Sequence, residues 1–402
     1  MLVDGVTEGT EMAAKQPPWL ARTLAERTDE LIAFRRDVHR HPELARRELR
    51  TTASITRVLT AAGIAYRVLP GGSGVIAEVG SGDRIVGLRG DIDALPLQEE
   101  SGADFASEVP GVSHACGHDV HTTCLLGAAL ALSAAPALPG RVRLVFQPAE
   151  EVMPGGAHEV IDAGGMAGVE RIFALHCDPR LQVGRIGLRL GPITSTADMV
   201  DLTVTGRGGH TARPHLTADL VYALGMVITE LPGLLSRRLD PRSVPVMVWG
   251  AVHAGQAANA IPQTGRLTGT LRMMDRAGWD QAEPLVRELV GQILAPTGVG
   301  YDLSYVRGVP PVDNDQVSYQ LLTEAARATV GIEHVVVAEQ STGAEDFAVL
   351  LEEAPGGLAR LGVWDGISPQ VDLHSGQFRA DEEAIGIGVT LLVNAALAAL
   401  TG

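Results

Sequence analysis

The spacing of apolar residues predicts an α/β protein in which a sheet domain is interrupted by a smaller α+β domain. Three observations carry that expectation. Strand-like runs alternate with helix-like runs over the first half of the chain, and the same texture resumes at about residue 316. Several of these runs end in polar side chains, as in open α/β sheets whose ligands sit beyond the carboxyl edge. Between them, from about Asp198, the order becomes strand–helix–strand–strand–helix–strand, that of a ferredoxin-like sandwich.

Each element has its own justification. Helical spacing of Leu20, Leu24, Leu31, Ile32, Phe34 and Val38 predicts helix over residues 19–59, broken at His41-Pro42. Residues 65–69 and 74–79 read as strands joined by a hairpin loop at Gly71–Gly74; that loop opens no helix, which excludes a dinucleotide-binding turn. An apolar strand over 84–89 ends in Gly90-Asp91-Ile92-Asp93, and a buried helix is expected over 120–132. Strands at 142–146 and 171–175 end in Gln147-Pro148-Ala149-Glu150-Glu151 and in His176. The inserted part comprises strands at 200–205, 244–252, 265–273 and 301–305, with helices at 217–235 and 279–294. Helix 316–329, strands 334–337 and 358–363, and helix 382–400 complete the first texture.

At 402 residues the chain is too long for one ordinary core, and 46% apolar content is ample for burial. The longest apolar runs fall short of the ~20 residues of a membrane span. Residues 1–18 mix Asp4, Glu8, Glu11 and Lys15 with small residues and read as a disordered tail, with neither the basic start nor the apolar run of a leader. A net charge of −16 argues against a nucleic-acid footprint and against anionic membrane surfaces. Three cysteines without disulfide-like spacing suit a reducing compartment, so a cytoplasmic protein is expected. Lys15 is the only lysine, which removes P-loop, kinase-type and Schiff-base lysine chemistry together. No Gly-x-Ser-x-Gly elbow supports a serine hydrolase.

The chemistry concentrates in four separated stretches: His114-Ala115-Cys116-Gly117-His118-Asp119, Gln147 to Glu151, Leu175-His176-Cys177 and Leu373-His374-Ser375. None has zinc-finger spacing. Mixed Cys, His and Glu ligands gathered from distant segments point to a catalytic metal site more than a structural one. Cys116 and His118, two apart on a loop, can point the same way, and the helix that follows favours a thiolate. Glu150 and Glu151 at a strand end are expected to face opposite sides, so that one can hold a metal while the other moves protons; two carboxylates so close also call for cations or a raised pKa. Taken singly, each motif also has an ordinary structural explanation: a buried Cys beside a core His, a solvated acidic turn, a lone structural His. Jointly they read as a metallohydrolase.

The chain resembles peptidase family M20, in the amidohydrolase branch that contains N-acyl-amino-acid amidohydrolases, hippurate hydrolases and auxin-conjugate hydrolases. The resemblance runs in order from Arg35-Arg36-Asp37-Val38-His39-Arg40-His41-Pro42-Glu43 through Arg89 to Pro96, the HACGHD and FQPAEE stretches, Gly206 to His210, Asn259 to Pro262, Gly269 to Arg272, Gly343-Ala344-Glu345-Asp346-Phe347 and Leu373-His374. It implies a zinc-peptidase-like three-layer catalytic domain (19–193 and 310–402) with an inserted lid/dimerisation domain (194–309). It further implies two divalent metal ions per subunit (manganese, zinc or cobalt) held by Cys116, His118, Glu151, His176 and His374. Glu150 would be the general base and Asp93 the carboxylate that orients a ligand. His210 would stabilise the developing oxyanion, in its own subunit or across a homodimer, while Asn259, Arg272 and Gly343 would bind the substrate. Ser113 and Gln340-Ser341-Thr342 depart from the family's common residues and bear on the substrate pocket.

The implied reaction is hydrolysis of an N-acyl amino acid. Two alternatives stay open at this point: a dipeptidase or carboxypeptidase of the same family, and a catalytically silent binder of amino-acid conjugates.

Overall fold

The computed structural model describes residues 16–402. Most of the expected tail therefore lies outside the described residues, and Pro18 already opens the first helix, Pro18–Arg40. Proline is tolerated there because a first-turn N–H has no helical partner to lose. Leu20, Leu31, Phe34 and Val38 bury one face of this helix, and it stops at His41, where the following Pro42 disfavours a further helical residue. The second helix, Leu49–Ala61, follows an irregular segment through Pro42.

The described chain forms two compact units. One runs up to Arg189 and adds Asn314–Ala338 and Glu353–Gly402; the other comprises Leu190–Asp313 and Glu339–Glu352. The sequence division at 194, 309 and 310 differs mainly in Glu339–Glu352, which joins the inserted unit. The reason is hydrogen bonding without a sequence signature: Ser195 N–H donates to Gly343 C=O, Ser341 N–H to Ile193 C=O, and Arg272 Nη1 to Thr342 C=O.

The first unit is built on an eight-stranded mixed sheet. Its order is Ala65–Val68, Val75–Gly80, Arg141–Gln147, Ile85–Asp91, Arg171–Gln182, Gly356–Trp364, Ile186–Leu188 and Val335–Val337. The four central strands are mutually parallel, whereas the hairpin pair Ala65–Val68 and Val75–Gly80 joins antiparallel. Ile85–Asp91 is buried at every position, as expected of a strand covered on both faces. Helix His118–Ser133 is likewise buried nearly all round, which marks a core helix. It packs with Pro18–Arg40 and Glu383–Thr401 against the sheet, around Leu88, Val120, Leu125, Phe173 and Val389.

In the inserted unit, a four-stranded antiparallel sheet has the order Val246–Ala254, Thr264–Arg272, Ala197–Thr205, Gly300–Val309. With helices Leu220–Arg238 and Arg276–Leu294 this is the ferredoxin-like arrangement expected from the element order. Alternation along Ala197–Thr205 sends Val200, Leu202 and Val204 into a core shared with Leu224, Val227, Val286 and Val290.

Among the described residues, two helices, Leu220–Arg238 and Glu383–Thr401, are long and apolar enough by composition to cross a membrane. Glu383–Thr401 has most of its apolar surface in the core of the first unit.

Candidate metal centre

The candidate ligands of the first unit are brought together by the ends and edges of its central elements. Cys116 and His118 flank Gly117, whose φ of 83° is left-handed and whose Cβ, if present, would lie 2.8 Å from Cys177 Sγ. Only glycine fits both demands, so this turn delivers the thiol and the imidazole to one side just as the helix starts. His176 was expected at a strand end, but Arg171–Gln182 continues past it, and the residue sits mid-strand beside Arg360 of the neighbouring strand. His374 has a left-handed φ of 59° and is tied down by its own N–H, which donates to Ala115 C=O at 2.8 Å.

These side chains converge. Ligand atoms of Cys116, His118 and His176 lie within 4.8 Å of one another, as do those of Cys116, Glu151 and His374 and those of His118, Glu150 and Glu151. Cys116 Sγ is 3.6 Å from His176 Nε2, and His374 Nε2 is 3.2 Å from Glu151 Oε1. His374 is the exposed member, while Cys116, His118 and His176 are buried.

The ring nitrogens not facing this centre are already engaged, which sets the tautomers. His118 Nδ1 donates to Asp93 C=O at 2.9 Å and approaches Asp93 Oδ1 at 3.2 Å. His176 Nδ1 donates to Cys177 C=O at 2.8 Å. Both Nε2 atoms are thereby turned inward. His118 Nε2 is buried without a hydrogen-bond partner, although Asp91, Glu151 and Glu150 oxygens lie 3.7, 3.7 and 3.9 Å away. A buried ring nitrogen facing carboxylates at more than hydrogen-bond distance marks a place where positive charge, a proton or a metal cation, is favoured.

The electrostatics agree. Burial alone would lower the His118 pKa, but Asp91 and Asp93 outweigh it and push it up to about 10. Burial, then Glu151, Glu150 and Asp91, hold the Cys116 thiol well above its ordinary value. Burial, with His121 next, holds His176 well below the usual imidazole range, in the neutral form a ligand needs. A pocket of negative charge that resists forming a thiolate is one that positive charge would relieve. The donor set, one thiol with imidazoles and carboxylates, fits divalent transition metals.

Asp93 also accepts from Glu151 N–H through Oδ2 at 3.0 Å, so one carboxylate braces two candidate ligands. Three further residues escaped the sequence reading. Asp91 pairs with Arg89 Nη1 at 2.7 Å and with His121 Nδ1 at 2.6 Å, and His121 Nε2 accepts from Cys177 N–H at 2.8 Å. With both nitrogens engaged, His121 is a brace for the strand that carries His176. Its signal was available: His118 and His121 stand three apart on one helix, and Asp91 and Asp93 two apart at a strand end. Glu48, which accepts from Ala149 N–H, had no such signal.

The expectation that Glu150 and Glu151 face opposite sides is corrected. Both carboxylates approach the same His118 nitrogen. The chain has left the strand by then, and Ala149 adopts a left-handed φ of 56°.

The inserted unit carries the remaining residues. His210 pairs with Ala260 across a two-residue ladder, which brings it next to Asn259 in space. Its Nδ1 accepts from Ala212 N–H at 3.0 Å, so the proton resides on Nε2, free to donate. Arg272 donates to Thr342 C=O at 2.9 Å, adjacent to Gly343, whose own N–H donates to Ser341 Oγ.

The family model "Peptidase family M20/M25/M40" matches residues 87–398. A Rhodococcus jostii protein named as glutamate–cysteine ligase 2-3 is 51% identical over 90% of this chain, but the chain spans only 46% of that relative. N-acetylcysteine deacetylase of Bacillus subtilis is 38% identical over 89% of this chain and 93% of its own length. Among solved structures, a Bacillus subtilis protein described as a dinuclear metal binding peptidase from the M20 family superposes with a TM-score of 0.82 at 34% identity, covering 94% of this chain and 99% of that one. This chain belongs to peptidase family M20/M25/M40, in its amidohydrolase branch, and is a metal-dependent hydrolase of amide bonds.

Proposed function

We propose that the protein hydrolyses N-acyl amino acids to a carboxylic acid and a free amino acid. Cys116, His118, Glu151, His176 and His374 would hold two divalent ions, with manganese, zinc and cobalt all compatible with the donors. Such ions, when bound, make water a nucleophile near neutral pH and polarise the scissile carbonyl. The protein's own residues do the rest. Glu150 accepts a proton from the attacking water and delivers it to the departing nitrogen, so that C–N cleavage yields a neutral amine. Asp93 holds His118 in the Nδ1–H tautomer and pins Glu151 through its backbone. His210, with Nε2–H free, donates to the oxyanion that forms on the carbonyl oxygen. Arg272 and Asn259 grip the amino-acid carboxylate, Arg272 through paired hydrogen bonds, with Gly343 shaping the same subsite.

The reading is carried by one observation: Glu150 shares the His118 nitrogen's surroundings with Glu151, leaving a carboxylate beside the candidate ligands for proton transfer. The relative's name, N-acetylcysteine deacetylase, supports a small acyl group on an amino acid. A homodimer is part of the proposal. Val246–Ala254 lies at the edge of its sheet, and Val246, Val248 and Val252 are about half exposed along it, as in a strand that pairs with its twin. Three buried, unpaired cysteines support a reducing, cytoplasmic setting.

The test is release of free amino acid from acetyl-, benzoyl- and long-chain-acylated amino acids, and from unblocked dipeptides, with added manganese, zinc or cobalt. Chelator-sensitive turnover of at least one compound is expected, with loss in Glu150→Gln. Turnover confined to unblocked dipeptides would favour the peptidase alternative, and metal binding without turnover of any compound would favour the silent binder.

A further inference from the structure

The peptide that aims Glu150 and Glu151 is built from an unfavourable conformation. Ala149 is fully buried and left-handed, at φ 56°, a region that costs a residue with a Cβ free energy that its surroundings must offset. Both of its backbone groups are clamped. Its N–H donates to Glu48 Oε1 at 2.8 Å, from 101 residues earlier in the chain, and its C=O accepts from Gly156 N–H at 2.9 Å. Gly156 leaves no alternative on its side, since a Cβ there would lie 1.9 Å from Pro148 C=O.

Glu48 is a buried carboxylate, 0% exposed, at the residue that precedes helix Leu49–Ala61. A carboxylate in that place commonly caps its own helix. This one makes no side-chain cap and reaches across to Ala149 instead. The consequence is visible two residues on. Consecutive residues of an extended strand point to opposite faces, yet Glu150 Oε2 and Glu151 Oε1 lie 3.9 and 3.7 Å from one nitrogen of His118. The left-handed step at Ala149 marks where the chain abandons the extended pattern.

We propose that Glu48 is a positioning residue: its buried carboxylate holds Ala149 in the left-handed conformation and so turns Glu150 and Glu151 to the same side. The inference rests on the reading of Glu151 as a metal ligand and Glu150 as the base. It adds a third carboxylate that acts on them only through the backbone.

The experiment compares Glu48→Ala, Glu48→Gln, Ala149→Gly and the double variant Glu48→Ala/Ala149→Gly in the full chain. The assays are manganese affinity, measured by competition with a chromophoric chelator, and hydrolysis of N-acetyl-L-cysteine. Glu48→Ala should lower kcat and weaken manganese binding by about 10–100-fold each, with KM within about threefold. Glu48→Gln keeps an acceptor oxygen and should stay within about fivefold of the parent. Glycine takes the left-handed conformation without help, so the double variant should recover at least about fivefold over Glu48→Ala. A carboxylate that merely satisfied a buried N–H would give no such recovery. If Glu48→Ala does not fold, Glu48→Met fills the volume without an acceptor and replaces it. Unchanged kcat and affinity in Glu48→Ala, or a double variant no better than the single one, overturns the proposal. Glu150→Gln is run alongside: parent-like turnover there would sink the base assignment, while the affinity readout would still test Glu48 through Glu151.

Discussion

Replacing Asp93 tests the bracing of the candidate metal centre. The fully buried carboxylate takes two contacts, Glu151 N–H on Oδ2 at 3.0 Å and His118 Nδ1 on Oδ1 at 3.2 Å. His118 keeps a closer bond to the Asp93 backbone carbonyl, at 2.9 Å, whatever the side chain. Loss at the imidazole is therefore partial, and the stranded Glu151 N–H dominates. Leaving one buried donor unsatisfied costs about 1–3 kcal/mol, and about 2 kcal/mol spent on misplacing Glu151 weakens metal binding roughly 30-fold. Asp93→Ala should show that loss in a competition titration with manganese. Asp93→Asn retains one acceptor oxygen and should lose only about fivefold, corresponding to about 1 kcal/mol. Circular dichroism on the same samples checks that both variants fold. Parent-like affinity in folded Asp93→Ala would refute the bracing, and equal losses in Ala and Asn would show that charge, not the hydrogen bond to Glu151, is what Asp93 supplies.

Other expectations follow from the same geometry. Glu150→Gln should reduce kcat by about 10²–10⁴-fold with metal content unchanged, read by initial rates and elemental analysis. His121→Phe strands Cys177 N–H and removes a partner from buried Asp91, so thermal unfolding should shift by a loss of about 2–4 kcal/mol; an unchanged midpoint would contradict the bracing role. Glu99 is held down to about 2: burial opposes this, but hydrogen bonds from His39 and Ser101 prevail. A depressed carboxylate contributes stability that is fully present above its unfolded pKa, about 4.5, and is lost as pH falls toward 2. Urea midpoints of the parent should therefore drop between pH 4.5 and 2 more steeply than those of Glu99→Gln. Val248→Arg, on the exposed edge strand, should shift the protein toward monomer in light scattering if that strand pairs with its twin.

Much of the fold was legible before any coordinates. Periodicity located the helices Pro18–Arg40, His118–Ser133 and Glu383–Thr401, and the other long strands besides Arg171–Gln182, to within a few residues. It worked because each element buries one face or all of itself, and burial writes a period of 3.6 or 2 into the chain. The short strands Ile186–Leu188, Gly209–His210 and Ala260–Ile261 were not legible, since two or three residues are too few to carry a period. The full extent of Arg171–Gln182 was hidden for another reason: from His176 to Gln182 the strand mixes polar residues with a proline and shows no apolar alternation.

The alternation of layers, the side-chain types at Cys116, His118, Glu151, His176 and His374, and membership of the family were all readable from the residues. Those properties reside in residue identity and local spacing. Which carboxylates brace the candidate centre, that Glu150 and Glu151 turn to one side, and that Glu339–Glu352 joins the inserted unit emerge from the three-dimensional fold. Each of these depends on hydrogen bonds between residues tens to more than a hundred positions apart, such as Glu48 to Ala149. Such bonds satisfy buried backbone groups, which every residue carries alike, so they leave no mark in the order of side chains.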